Sequence, residues 1–234
     1  MLKYKRVLLK LSGEALAGKQ GSGIDFSVAE AIGAQLKDCI AAGAQIAVVV
    51  GGGNFWRGRA GGGMDAVRAD QMGMLATMIN AIALTDTFEQ AGVPVLLQAA
   101  FQIPQVAPSI HKASAVEALE AGKVVLFGGG TGNPFFTTDS AAALWAAEIE
   151  AEAVLKATNV DGVYDSDPKQ NLAAVKYDTL TLTEVLERRL GVMDATAAAL
   201  CQTRRIPMVV FGQAEPANIL RVLHGEAIGT TVTA

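Results

Sequence analysis

The sequence has little that would staple a fold together. Only two cysteines, Cys39 and Cys201, occur in 234 residues. Both fall inside apolar helical patterns and read as small buried hydrophobes, giving no disulfide framework and no metal site. A reducing cytoplasm is the expected setting. Aromatic residues make up only 6% of the chain, so Ala, Val, Leu and Gly must fill the core. The two histidines, His111 and His224, form no triad and no metal-ligand cluster and receive no role.

Excess positive charge is missing as well. The net charge of −4 leaves no basic footprint for nucleic acid. Long apolar runs are absent even though the mean hydropathy is positive. Ile46–Val50, Val93–Leu97 and Val124–Phe127 are far too short to cross a bilayer. The longest apolar stretch, Met72–Phe88, contains Asn80 and Asp86 and reads as a buried helix. No membrane association is expected, and no signal-peptide segment follows the basic Met1–Arg6. There is no GxxxxGK[ST] phosphate loop. No acidic residue completes a dinucleotide fingerprint after Gly51. Asp161, Asp165 and Asp167 lack the later Glu that a Ca²⁺ loop requires.

What remains is a chain that alternates strands and helices. Apolar strand segments lie at 7–11, 46–50, 93–98, 124–127, 153–157 and 208–211, with a short closing strand at 230–232. Ser27 with Glu30, and Ser114 with Glu117, read as capping boxes opening helices. Further helices are expected over about 65–90, 139–150, 183–190 and 194–204, with a last one opening at Pro216. This pattern predicts one α/β domain spanning 1–234, an open, mainly parallel sheet in a three-layer α/β/α sandwich. The apolar composition also suggests a buried subunit interface.

Four segments at predicted strand ends could carry chemistry, because ligands of open α/β sheets bind there. Lys10-Leu11-Ser12-Gly13 offers a cation and a close backbone approach. Gly51-Gly52-Gly53-Asn54, with Arg57 behind it, can form an anion-binding nest. Gly130-Thr131-Gly132-Asn133-Pro134-Phe135-Phe136-Thr137-Thr138-Asp139 brings glycines, hydroxyls and a carboxylate to a helix N-terminus suited to a phosphate. Asp139 also reads as that helix's cap. Leu155–Pro168 places Tyr164 where it could flank a base. Each segment alone has a plainer reading as a turn.

Together the segments resemble the bacterial UMP kinase branch of the amino-acid kinase superfamily. The resemblance is carried by LLKLSGEAL (8–16), VVVGGGNFWRG (48–58), DQMGMLAT (70–77), GTGNPFFTTD (130–139), LKATNVDGVY (155–164) and VMD (192–194), in the family's order. GTGNPFFTTD is the most specific. The stretch between Arg57 and Asp70 is shorter and richer in Gly than in some members, and Gly18–Gly23 is recognisable only as a Gly-rich turn.

The resemblance implies transfer of the γ-phosphoryl of ATP to UMP, with Mg²⁺ accompanying ATP. It implies Lys10, Arg57 and Asp139 as catalytic. It implies Lys10, Leu11, Ser12, Gly13, Gly53, Arg57, Thr158, Tyr164 and Asp167 on the ATP side, in the C-terminal part. Gly52, Asp70 and Thr131 through Thr138 are implied on the UMP side, in the N-terminal part with the oligomer interface. Asp139 would orient Lys10 or a metal, and Asp194 is a second candidate. A cytoplasmic homohexamer, activated by GTP and inhibited by UTP, is the family expectation. A related small-molecule kinase of the same fold, or a non-catalytic nucleotide- or oxyanion-binding oligomer, are the alternatives.

Overall fold

Strands that are apolar at every position need cover on both faces. The computed structural model, which describes residues 1–57, 63–168, 170–188 and 190–234, supplies it. The order is β1 (Arg6–Leu11), α1 (Gly13–Leu16), α2 (Phe26–Ala41), β2 (Gln45–Val50), α3 (Ala66–Gln90), β3 (Val95–Ala99), α4 (Lys112–Glu120), β4 (Val124–Gly128), α5 (Thr138–Glu148) and β5 (Ala153–Thr158). There follow β6 (Val163–Tyr164), β7 (Lys176–Tyr177), β8 (Thr179–Thr181), α6 (Leu182–Glu187), α7 (Ala195–Arg204), β9 (Met208–Gly212), α8 (Asn218–Leu223) and β10 (Thr230–Thr233). Residues 58–62, and with them the middle of the shortened Gly-rich stretch, lie outside the described residues.

Eight strands form one sheet in the order β3-β4-β2-β1-β5-β9-β10-β8. Among the described residues, only β10 against β9 is antiparallel in this sheet. The open, mainly parallel sheet expected from the alternation is therefore present. Strands β6 and β7 make a separate antiparallel hairpin.

The period of two divides each strand between two cores. Leu8, Ala47, Val125 and Val154 face α4, α5, α6 and α7. Val7, Leu9, Val48, Leu126 and Leu155 face α2, α3 and α8. The scarcity of aromatics shows in the first core. Helix α5 buries Ala141, Ala142, Ala143 and Ala146, and α7 buries Ala197 and Ala198. Small residues let these helices lie close to the sheet and to each other. The one ring pair there among the described residues is Phe127 with Trp145, centroids 5.6 Å apart.

The structure corrects several local expectations. Helix α2 is capped by Asp25, whose carboxylate accepts from Ser27 N at 3.1 Å, so Ser27 is not the cap. Helix α4 is capped by His111, which accepts from Ser114 N, so His111 has a role and Ser114 opens no capping box. A complete capping box does occur where it was not expected, between Thr181 and Glu184 on α6. Helix α3 is not buried throughout. One face is packed, but Met72, Leu75, Ile79 and Ile82 are 38–52% exposed along the other. Both cysteines are buried and free, and burial pushes the thiols up, to about 12 for Cys39 and about 11 for Cys201. No helix among the described residues is long and apolar enough to cross a membrane.

Candidate active site

The parallel pairing of β1 with β5 sets Lys10 directly opposite Lys156. Strand alternation turns both side chains to the face of Leu8 and Val154, the face that α5 covers. Two ammonium groups on neighbouring strands would repel unless a carboxylate stood between them. Asp139, in the first turn of α5, is that carboxylate. Its Oδ1 lies 3.0 Å from Lys10 Nζ and its Oδ2 2.6 Å from Lys156 Nζ. Lys156 Nζ also donates to the carbonyl of Val192.

Electrostatics follow from this packing. Burial acts to raise the Asp139 pKa, but the charges of Lys10 and Lys156 outweigh it and hold the carboxyl below the usual range. Burial also dominates at Lys156, where it lowers the pKa against the pull of Asp139, and the charge of Lys10 adds to the lowering. Asp139 Oδ1 is buried, and the Lys10 ammonium faces it without hydrogen-bond alignment.

Asp139 is not the cap of α5. Thr137 is, its Oγ1 accepting from Asp139 N at 3.0 Å and Ser140 N at 3.3 Å. This leaves the Asp139 carboxylate available for the lysines. Thr137 Oγ1 donates in turn to Asp194, and Ser140 Oγ donates to the same carboxylate at 2.9 Å. Asp194 meanwhile caps α7 through Ala197 N at 2.9 Å. One carboxylate thus fastens the starts of two helices beside the lysine pair.

The loop between β4 and α5 is held from three sides. Gly129 N donates to Thr77 Oγ1 at 3.0 Å, and Trp145 Nε1 donates to Gly130 O at 3.0 Å. Phe135 N donates to Asp70 Oδ2 at 2.7 Å. Phe135 adopts φ 71°, a left-handed conformation costly for a bulky residue. A Cβ at Gly132 would lie 2.4 Å from Ala100 O, so that position requires glycine.

Two cavities open at these strand ends. The first, of about 670 Å³, is lined by Gly52, Asp70, Thr131, Asn133, Phe135, Phe136, Thr137 and Thr138, together with Trp56, Met74 and Thr77. The second, of about 710 Å³, is lined by Lys10, Ser12, Thr158, Tyr164 and Asp167, with Glu14, Lys156 and Arg188. Of the residues expected from the sequence, Gly132 and Pro134 do not line the first cavity. Leu11 is buried in the sheet, Gly13 packs against Gly51 and Asn54, and Gly53 packs against the Glu14 side chain. Arg57 lines neither cavity. Its guanidinium pairs with Glu14 at 2.6 Å, both side chains being exposed. Tyr164 OH donates to Asp161 at 2.6 Å, which raises the phenol's pKa.

Lys156 is a candidate site residue that the sequence reading passed over: it pairs with Asp139 and lines the second cavity. A lysine inside Ala-Val-Leu-Lys-Ala, on a strand otherwise buried, was the available signal. No group of three or more ligating side chains that could hold a metal occurs among the described residues.

The chain matches the amino acid kinase family over residues 5–212. Its structure is similar to UMP kinase from Bacillus anthracis, with TM-score 0.94 and 36% identity over 98% of this chain and 96% of that one. It is similar to UMP kinase from Ureaplasma parvum, with TM-score 0.91 and 38% identity over the whole of both chains. It is also similar to uridylate kinase from Archaeoglobus fulgidus, with TM-score 0.73 and 32% identity over 97% and 99% of the two chains. This chain belongs to the amino acid kinase family.

Proposed function

We propose that the chain is a UMP kinase, moving the γ-phosphoryl of ATP onto the 5′-phosphate of UMP to give ADP and UDP for pyrimidine nucleotide biosynthesis. The observation that carries this reading is a pair of cavities, one lined by Thr137 and Thr138 just before Asp139, the other by Lys10 and Lys156, the two lysines that Asp139 pairs with. The full-length similarity to two UMP kinases at 36% and 38% identity supports the choice of acceptor.

In this reading UMP occupies the first cavity and ATP the second. The N-terminal part, joined by the 130–138 loop, carries most of the acceptor side. The C-terminal part, with Lys10 and Ser12 from β1 and its turn, carries the donor side. The acceptor phosphate is received at the start of α5, where the helix dipole and the Thr138 hydroxyl suit an anion. Asp70 lies in the same cavity, placed to accept from a ribose hydroxyl. The acceptor oxygen is already anionic, so no general base is needed. Lys10 and Lys156 approach the transferring phosphoryl from the β1–β5 side, and Asp139 keeps both ammonium groups aimed. Arg57 is held only by an exposed ion pair, which is weak, and can transfer to an incoming phosphate. Catalysis is positioning plus charge neutralisation.

Mg²⁺ is usually held by substrate phosphates and one or two carboxylates rather than by a protein cage. The residues here fit that mode. Asp139 Oδ1, buried without an aligned hydrogen bond, is the carboxylate atom that would receive the ion or one of its waters. When bound, the ion would supply charge neutralisation to the phosphates.

Assembly as a homohexamer is part of the proposal. The exposed apolar stripe Met72, Leu75, Ile79 and Ile82 on α3 supports self-association. Two buried free cysteines fit a cytoplasmic setting. Activation by GTP and inhibition by UTP rest on the motif resemblance. A coupled assay with a nucleotide panel tests the reading: ADP release with UMP, and little with CMP, AMP or acetylglutamate, is expected, and it should vanish without Mg²⁺. Equal turnover on another acceptor, or nucleotide binding without turnover, would displace it. Adding GTP or UTP to that assay tests regulation, and light scattering tests the hexamer.

A further inference from the structure

The turns that follow β1 and β2 touch backbone to backbone. Gly51 N donates to Leu11 O at 3.0 Å. A Cβ placed on Gly13 would lie 2.3 Å from Gly51 O and 2.8 Å from Asn54 Oδ1. Contact this close works only if the Gly51 carbonyl is held in one place. Nothing in the sheet holds it, because β2 ends at Val50.

A buried amide does. Asn80, fully buried on α3, donates through Nδ2 to Gly51 O at 2.7 Å and to Asn54 Oδ1 at 2.7 Å. Asn54, also buried, donates through Nδ2 to Asn80 Oδ1 at 2.9 Å and to Gly23 O at 2.7 Å. Gly23 N returns a bond to Asn54 O at 3.1 Å. All four N–H bonds of the two amides are therefore used. Each nitrogen faces a backbone carbonyl, which can only accept, so neither amide can turn over without losing a bond.

Asn80 does not stand alone on its helix. Asp70, Thr77 and Asn80 share one face of α3, and each fastens a different part of a strand-end turn. They hold Phe135 N, Gly129 N and Gly51 O respectively. The opposite face carries the exposed stripe of Leu75, Ile79 and Ile82.

We infer that Asn80 is a positioning residue for phosphoryl transfer: through Gly51 and Asn54 it sets the spacing between the Gly13 turn and the Gly51–Gly53 turn, and so between the two nucleotides. Asn80 lines neither cavity. Its removal should therefore act on the alignment of the reacting groups more than on either binding step. The inference deepens the proposed kinase reading and rests on it for its kinetic readout.

The test compares the parent with Asn80→Ser and Asn54→Ala, each shown folded by circular dichroism, and with the double variant. Amide hydrogen exchange is followed in segments 12–17 and 51–57, and kcat and KM are measured for both nucleotides. Asn80→Ser should speed exchange in both segments together. It should lower kcat about 10- to 100-fold while changing each KM less than about threefold. The double variant should be no worse than the poorer single one, because both remove the same joint. If Asn80→Ser fails to fold, Asn54→Ala carries the same readouts. Unchanged exchange in segment 12–17, or a kcat within about twofold of the parent, would overturn the inference. If the parent does not phosphorylate UMP at all, the kinase reading fails by itself, and the exchange measurement still decides whether the amide pair couples the two turns.

Discussion

The two cavities meet negative charge by different means. Among the described residues, the first has no Lys or Arg in its lining, only Asp70 with hydroxyls, amides and the start of α5. The second holds Lys10, Lys156 and Arg188. In the kinase reading, the acceptor phosphate is received by fixed dipoles, while mobile and strongly charged phosphates are met by ammonium groups. The division has a physical advantage. Backbone amides and a helix terminus favour a bound monophosphate without clamping it, whereas the transferring group needs full charges at its path. The lysines sit on a rigid sheet, and the amides sit on loops that α3 fastens.

The comparison can be broken most sharply at Lys10. Lys10→Ala should lower kcat by about 10²–10³-fold, as for loss of one preorganised charge contact, with the fold intact by circular dichroism. Near-normal turnover would remove Lys10 from the mechanism. Lys156→Met comes next, with a loss of about 10²-fold in kcat. It should also lower the melting temperature, because Asp139 keeps only one of its two cations. A variant that is less stable but equally active would make Lys156 structural only.

On the other side, Asp70→Asn should raise the KM for UMP about tenfold, the scale of one hydrogen bond to a charged group, and leave the KM for ATP within about twofold. Equal changes in both constants would place Asp70 outside the acceptor site. The smallest effect concerns pH. The Asp139 pKa is held below its unfolded value, so its ion pairs stabilise the fold above about pH 3.9 and are lost as pH falls through the folded value. In denaturant titrations, the stability gap between the parent and Asp139→Asn should narrow below about pH 4. A gap that stays constant from pH 7 into acid would contradict the ion-pair account.

Much of this was legible in the sequence, and the limits are physical. Strands such as Ile46–Val50 and Val124–Phe127 announce two-sided burial by being apolar throughout, and the open parallel sheet follows from their alternation with helices. The loop at 130–139 was legible because glycines, hydroxyls and a carboxylate crowd a helix start. Caps were less so. Ser27 and Ser114 match a capping pattern, yet the residue that leaves helical geometry decides, and that is Asp25 in one case and His111 in the other. Strands β6, β7 and β8 are two or three residues long, too short for any period to register.

Lys156 was hidden for a different reason. Its partners are Asp139 and, across the sheet, Lys10. Only the pairing of β1 with β5 brings them together, and no local pattern encodes which strands become neighbours. Asn80 was read as a mark against membrane insertion, because its buried partners on the β2 turn are likewise set by tertiary packing. The choice of UMP over another acceptor came from the motif resemblance, to which the structure adds two cavities at the strand ends.

The most direct measurement is ³¹P NMR of the purified chain with ATP, UMP and Mg²⁺. The account predicts that ADP and UDP appear in equal amounts as ATP and UMP disappear, with no inorganic phosphate beyond background. ATP loss that yields inorganic phosphate without UDP, or an unchanged spectrum, would contradict it.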